Sequence, residues 1–140
     1  MKYFNLSELT YSVTAKERNI ANNPDLSGKE NLYQLVKYVL DPLREAYGKP
    51  IRINSGYRSP ELNALVGGAK RSYHLQGLAA DLCATYEYGD DLAARRKKNK
   101  NIYQTALRLS LPLAELIAEK GNSDGPDWIH IALDRTKIPV

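Results

Sequence analysis

His74 and His130 are the only two histidines in this chain, and each lies inside a compact polar segment. His74 belongs to Ser72-Tyr73-His74-Leu75-Gln76-Gly77-Leu78-Ala79-Ala80-Asp81, and His130 to Asp127-Trp128-Ile129-His130. Two imidazoles and one carboxylate are the minimal protein side of a catalytic zinc site. Structural zinc sites are usually closed by four protein ligands, whereas catalytic ones keep three and leave a position for water. Taken singly, a histidine on a strand is more often a satisfied structural residue than a ligand. The context adds weight here. Gly77 lies between His74 and Asp81 and permits a sharp turn, so His74 can end a loop while Asp81 enters the next strand. His130 then sits on a separate strand able to pair beside it. One Zn2+ ion held by His74, Asp81 and His130 is the expectation, and it makes the chain a candidate hydrolase.

The elements that must position these residues are legible in outline. Ser27 and Glu30 fit a capping box, and Leu32, Leu35, Val36, Val39, Leu40 and Leu43 follow at helical spacing. A helix from about Gly28 to Tyr47 is predicted, with a kink at Pro42 and a stop at Gly48. Ile51 to Ser55 alternates as a strand. Ser59 and Pro60 open a short helix as N-cap and first helical residue. Leu78 to Cys83 reads as a buried strand, and Asp90 to Ser110 as helix in two pieces split near Asn99. Leu113 to Glu119 is a strand candidate with helix as the alternative. Trp128 to Leu133 alternates strictly, so His130 shares a face with Trp128 and Ala132 while Ile129, Ile131 and Leu133 face the other way. The predicted fold is α+β: a small, mainly antiparallel sheet with helices packed on one side, in one domain over residues 1–140.

Composition narrows the function classes. The chain is long enough for a real hydrophobic core. No apolar run approaches ~18 residues, so no membrane span is expected. The opening residues lack the apolar stretch of a secretory signal, so synthesis in the cytoplasm is expected. Cys83 is the single cysteine, which excludes an intramolecular disulfide. It reads as a small buried hydrophobe, although its place two residues after Asp81 would let it approach a metal. The net charge is +4, with much of the positive charge in Arg95-Arg96-Lys97-Lys98-Asn99-Lys100. That run suits a solvated helix end or attraction to an anionic polymer such as a bacterial cell wall. It lacks the interleaved aromatics that stack on bases, so no nucleic-acid partner is expected.

Three segments in order carry a resemblance: Ser55-Gly56-Tyr57-Arg58-Ser59-Pro60-Glu61-Leu62-Asn63, then Ser72-x-His74-x-x-Gly77-x-Ala79-x-Asp81, then Trp128-Ile129-His130. Together they resemble the zinc D-Ala-D-Ala carboxypeptidase-like peptidases. That family includes peptidoglycan carboxypeptidases, D-alanyl-D-alanine dipeptidases and phage-type L-alanyl-D-glutamate endolysins. The resemblance runs from about Phe4 to Leu133, and the opening Phe4 to Thr10 looks like the phage and prophage branch.

The resemblance implies a zinc metallopeptidase cutting an amide bond in the peptide stem of bacterial peptidoglycan, by D,D-carboxypeptidase or L,D-endopeptidase chemistry. His74, Asp81 and His130 match the zinc ligands. Arg58 matches an arginine that binds or polarises the substrate near the scissile bond, and its forked, permanently charged head suits a carboxylate or an oxyanion. Asp127 matches the general base, in a place where many relatives have glutamate; Glu119 and Asp124 are reserve candidates. Ser55, Ser72 and Trp128 join Arg58 as candidate substrate-binding residues. Ser72 equally suits a turn or cap, and simple burial is the safer reading of Trp128. Ala114-Glu115 departs from relatives that often read Asp-Gln. The expected site of action is the cell wall or periplasm, and the expected state is a monomer. The alternative is a non-catalytic module of the same fold that holds zinc or peptidoglycan.

Overall fold

The computed structural model describes residues 1–139. Two short helices open the chain, α1 (Leu6–Thr10) and α2 (Val13–Glu17). Each begins at a polar residue that accepts an otherwise orphaned backbone N–H: Asn5 from Glu8 and Ser12 from Ala15. A long helical rod follows, made of α3 (Leu26–Leu35), a π-helical turn (Val36–Leu40) and α4 (Asp41–Tyr47), and it ends at Gly48 with φ of 79°.

The rod differs from its sequence reading at its start. Its N-cap is Asp25, not Ser27, because the Asp25 carboxylate accepts from the Gly28 N–H at 2.8 Å. At Pro42, the predicted kink position, the rod passes from π-helical to α-helical hydrogen bonding. Pro42 sits in the first turn of α4, directly after the π-helical turn. A proline has no N–H to give, and the wider i→i+5 pattern accommodates that gap.

Strands β1 (Ile51–Ser55), β2 (Ala79–Ala84), β3 (Leu113–Glu119) and β4 (Trp128–Leu133) form one sheet in the order β1-β2-β4-β3. Every neighbouring pair is antiparallel. The predicted α+β class with a small antiparallel sheet is therefore observed, and Leu113–Glu119 is strand. Between β1 and β2 run α5 (Pro60–Leu65), capped by Ser59, and a 3-10 turn (Tyr73–Gln76) capped by Ser72. Between β2 and β3 runs α6 (Leu92–Arg108), a single uninterrupted helix.

Directly opposed residues in antiparallel strands share a face. Leu82 opposes Ile129, Ala80 opposes Ile131, and Leu116 opposes Ile131. These apolar residues join Leu32, Leu35, Val36, Val39, Leu40 and Leu43 of the rod and Ile102 and Ala106 of α6 in one core cluster. That packing commits one face of the sheet to the core, so the other face can carry polar residues. Asp81 opposes His130 on that second face.

Asn99 explains why α6 does not split. Its side chain is fully buried, its oxygen accepts from the Ala84 N–H at 2.8 Å, and its amide donates to the carbonyls of Pro126 and Asp127 at 3.0 Å each. A residue of poor helix propensity is retained because tertiary hydrogen bonds satisfy it. It also ties the end of β2 to the segment that leads into β4. Among the described residues, no helix is long and apolar enough to cross a membrane.

Candidate metal centre

His74, Asp81 and His130 converge from three separate elements. His74 lies in the 3-10 turn, Asp81 on β2 and His130 on β4. Their ligand atoms all lie within 4.8 Å of one another, and among the described residues no other group of histidine, cysteine, aspartate or glutamate comes together in this way. Asp81 Oδ1 is the hub, 2.9 Å from His130 Nδ1 and 3.3 Å from His74 Nε2. The rings of the two histidines are 5.2 Å apart and tilted by 60°.

The proton positions follow from the partners. His74 Nδ1 lies 2.6 Å from the Gly56 carbonyl oxygen. A carbonyl only accepts, so Nδ1 carries the hydrogen and Nε2 presents its lone pair. That Nε2 is buried and has no hydrogen-bond partner, because its approach to Asp81 lacks hydrogen-bond geometry. A buried nitrogen with an unmet lone pair is costly unless something fills the site. His130 is held at both ends, by Asp81 at Nδ1 and by Glu115 Oε1 at 2.8 Å from Nε2.

Burial pushes the Asp81 carboxyl up, but hydrogen bonding from His130 and the approach of His74 outweigh it and hold the group well below the usual carboxylate range. Burial likewise pushes His130 down, and its bonds to Asp81 and Glu115 outweigh that and raise it. Both shifts follow from the pairing of the Asp81 carboxylate with the His130 imidazole.

The donor set fits a zinc ion. Two nitrogens and a carboxylate oxygen are typical zinc ligands, and bonds of 2.0–2.2 Å in a tetrahedron place ligand atoms about 3.4 Å apart. The spacings of 2.9 and 3.3 Å around Asp81 Oδ1 are close to that. The unpartnered His74 Nε2 is the atom that a metal would satisfy.

Arg58 stands on the opposite side of Asp81. Its Nη2 is 3.4 Å from Asp81 Oδ2, its Nη1 donates to Asn63 Oδ1 at 3.1 Å, and its Nε donates to Ser55 Oγ at 3.2 Å. Burial lowers its affinity for a proton and Asp81 partly restores it. Ser55 opposes Asp81 across β1 and β2 at a bulge in β1. Arg58, Ser55, Asn54 and Leu62 border an open cavity of about 260 Å³. A second cleft of about 260 Å³ lies on the His130 side, bordered by Arg71, Ser72, Tyr73, Glu115, Glu119 and His130.

The other sequence candidates are placed as follows. Ser72 caps the 3-10 turn, its Oγ accepting from the His74 N–H at 3.1 Å, and it also borders the second cleft. Trp128 is partly buried on β4 opposite Glu119. Asp127 Oδ1 accepts from Arg96 Nε at 2.8 Å, and the structure does not bring Asp127 into the His74–Asp81–His130 group. Hydrogen bonding by Arg96 holds its carboxyl below the usual range. Cys83 is buried against Asn54 Oδ1 and stays outside the metal group. Of the basic run, Arg96 pairs with Asp127, Lys98 pairs with Asp90, and Arg95 stacks 4.8 Å over the Tyr86 ring.

Two contacts carry no signal in local sequence. Glu115 stands out there only as a departure from relatives, without a role, and the Gly56 carbonyl is a backbone group that no side-chain motif names.

Comparison with known proteins places the chain among peptidases. A family model described as Peptidase M15 matches residues 2–107. A segment of 46 residues is 52% identical to a protein named zinc D-Ala-D-Ala carboxypeptidase from Streptomyces albus G. That segment is 32% of this chain and 18% of that relative, so the likeness spans less than a fifth of the curated protein.

Proposed function

The chain belongs to the Peptidase M15 family, and on that premise we propose that it is a zinc metallopeptidase acting on the peptide stems of bacterial peptidoglycan. The observation that carries the reading is the buried, unpartnered Nε2 of His74 beside Asp81 and His130. When bound, zinc supplies a Lewis acid and lowers the pKa of its water from 15.7 to about 7.

The chain's own residues do the rest. Gly56 and Asp81 hold the two imidazoles in register. Arg58 offers a charged fork, already oriented by Ser55, Asn63 and Asp81, to a substrate carboxylate or a developing oxyanion. Asp127, three residues before His130, is the proposed acid–base. Its carboxylate takes a proton from the attacking water and returns it to the leaving amine. Glu119, on the border of the cleft that contains His130, is the reserve for that role. Ser72 and Trp128 flank the bound stem as substrate-binding residues. The bond cut is of the D,D-carboxypeptidase or L,D-endopeptidase type, the working form is a monomer, and the site of action is the cell wall or periplasm, as in an endolysin of phage or prophage origin.

A second reading has one specific support. Asp127 is engaged by Arg96 rather than by the metal group, which suits a module that holds zinc or peptidoglycan without cleaving it. Mass spectrometry of defined muropeptides, incubated with zinc-loaded protein, separates the two. A product that loses terminal D-Ala, or is cut between L-Ala and D-Glu, supports the peptidase and identifies the bond. Zinc-loaded protein that leaves every stem intact supports the module. Wild-type protein that takes up no zinc overturns the peptidase, and one that also binds no peptidoglycan overturns the module.

A further inference from the structure

We propose that Glu115 is a positioning residue that fixes the tautomer of His130, so that His130 meets the metal through Nδ1. The inference rests on the reading of His74, Asp81 and His130 as zinc ligands. It adds a fourth side chain, with a different job, at a position to which that reading assigns none.

The geometry is asymmetric between the two histidines. His74 turns Nε2 toward Asp81, and the Gly56 carbonyl takes its Nδ1 hydrogen. His130 turns Nδ1 toward Asp81, with Nε2 on Glu115 at 2.8 Å. A neutral imidazole has one lone pair and one N–H. Both ring nitrogens of His130 face carboxylate oxygens, Asp81 at Nδ1 and Glu115 at Nε2, so once a metal takes the Nδ1 lone pair the remaining hydrogen resides on Nε2 and needs an acceptor there. Glu115 is that acceptor. A histidine that ligates a metal commonly donates its other ring N–H to a carboxylate or carbonyl, which sets ring orientation and raises ligand basicity. The two histidines of this site thus have complementary anchors, one main-chain oxygen and one carboxylate.

The fold explains how Glu115 arrives there. The β3–β4 register shifts between Leu113 and Glu115. Beyond the shift, Glu115 opposes Ala132 and Ile117 opposes His130, so Glu115 lies diagonally across from His130 on the site face, within reach of a long side chain. Glu115 is not a member of the ligand group itself, which separates its role from that of a fourth ligand.

The test uses the full chain in wild-type form and as Glu115→Ala and Glu115→Gln. Two quantities are measured: the zinc dissociation constant, by competition with a chromophoric chelator, and the His130 tautomer in zinc-loaded protein, by long-range 1H–15N NMR. The proposal expects the Nε2–H tautomer in wild type, a loss of zinc affinity of about 10–100-fold in Glu115→Ala, and recovery of most of it in Glu115→Gln, whose amide oxygen still accepts. Zinc affinity in Glu115→Ala within about twofold of wild type overturns the proposal, as does an Nδ1–H tautomer in the loaded wild type. Wild-type protein that binds no zinc overturns instead the metal-centre reading beneath it, so the two failures are distinct. Thermal unfolding of the zinc-free proteins checks folding, and an unfolded Glu115→Ala leaves the Glu115→Gln affinity and the wild-type tautomer to decide.

Discussion

Gly56 holds His74 by its carbonyl oxygen, 2.6 Å from Nδ1, while its own α-carbon presses against Leu9 of α1. A β-carbon at Gly56 would meet the Leu9 carbonyl carbon at 2.9 Å and its oxygen closer still. The neighbouring Tyr57 N–H donates to that same Leu9 oxygen at 2.8 Å, so the contact is tied down on both sides. Glycine is required here for close approach. Gly56→Ala is therefore expected to destabilise the fold by about 1–3 kcal/mol, the usual cost of overpacking, and to weaken zinc binding because the acceptor for His74 is displaced. Urea unfolding and chelator competition measure the two effects. An Ala variant with wild-type stability would contradict the packing argument.

Zinc is expected to stabilise the folded chain and to do so through His74. A ligand at 100 times its dissociation constant adds about 2.7 kcal/mol to a folded state that alone binds it. The wild type should melt higher with zinc than with a chelator. His74→Ala, which removes the buried unpartnered nitrogen, should show no zinc-dependent shift. Differential scanning calorimetry with and without zinc reads this directly. A zinc-dependent shift that survives in His74→Ala would remove His74 from the ligand set.

The meeting of His74, Asp81 and His130 was legible in part, because histidine is rare in this chain and Asp81 follows His74 closely in sequence. Gly77 marks the turn between His74 and Asp81, and the alternation of Trp128 to Leu133 says which residues share the face of His130. Glu115 was not legible in the same way. Its meeting with His130 depends on a register shift in β3, and register between distant strands is set by tertiary packing rather than by any local pattern. Asp25 and Ser27 are both good caps, and local chemistry does not choose between them. Gly28 bears on the choice, because a β-carbon there would lie 3.0 Å from Pro24 and 3.3 Å from the Asp25 carboxylate. Asn99 looked like a break in α6 for the same reason that Glu115 went unassigned: its partners lie far away in sequence, on Ala84, Pro126 and Asp127.

Arg96 is expected to govern the ionisation of Asp127. Its hydrogen bond holds the Asp127 carboxyl below the ordinary value of 3.8. A carboxyl that is lowered on folding contributes stability above its unfolded pKa, and the contribution is lost as pH falls through the folded value. Arg96→Leu should therefore raise the Asp127 midpoint, followed by its carboxyl 13C shift. Its unfolding free energy should fall below wild type above pH 3.8 and converge with it in stronger acid. If Asp127 is the acid–base, Asp127→Asn abolishes cleavage while zinc remains bound. Full activity in Asp127→Asn, with loss in Glu119→Gln, would move the role to Glu119.

Arg58 is expected to act on turnover more than on metal binding. Its three nitrogens each have a different partner: Ser55 Oγ, Asn63 Oδ1 and Asp81 Oδ2. A lysine keeps the charge but has a single point of donation, so it cannot reproduce a planar fork held at three sites. Arg58→Lys should retain zinc, because Asp81 Oδ1 and not Oδ2 is the atom that faces both histidines. Its kcat/KM on a defined muropeptide should fall by about 100-fold, the scale of losing one oriented donor at a developing oxyanion. The split between constants then says what Arg58 touches. A rise in KM alone points to a carboxylate of the resting substrate, whereas equal falls in kcat and kcat/KM point to charge that develops only in the transition state. Zinc lost together with activity in Arg58→Lys would instead make Arg58 a support for Asp81, with no direct part in binding the stem.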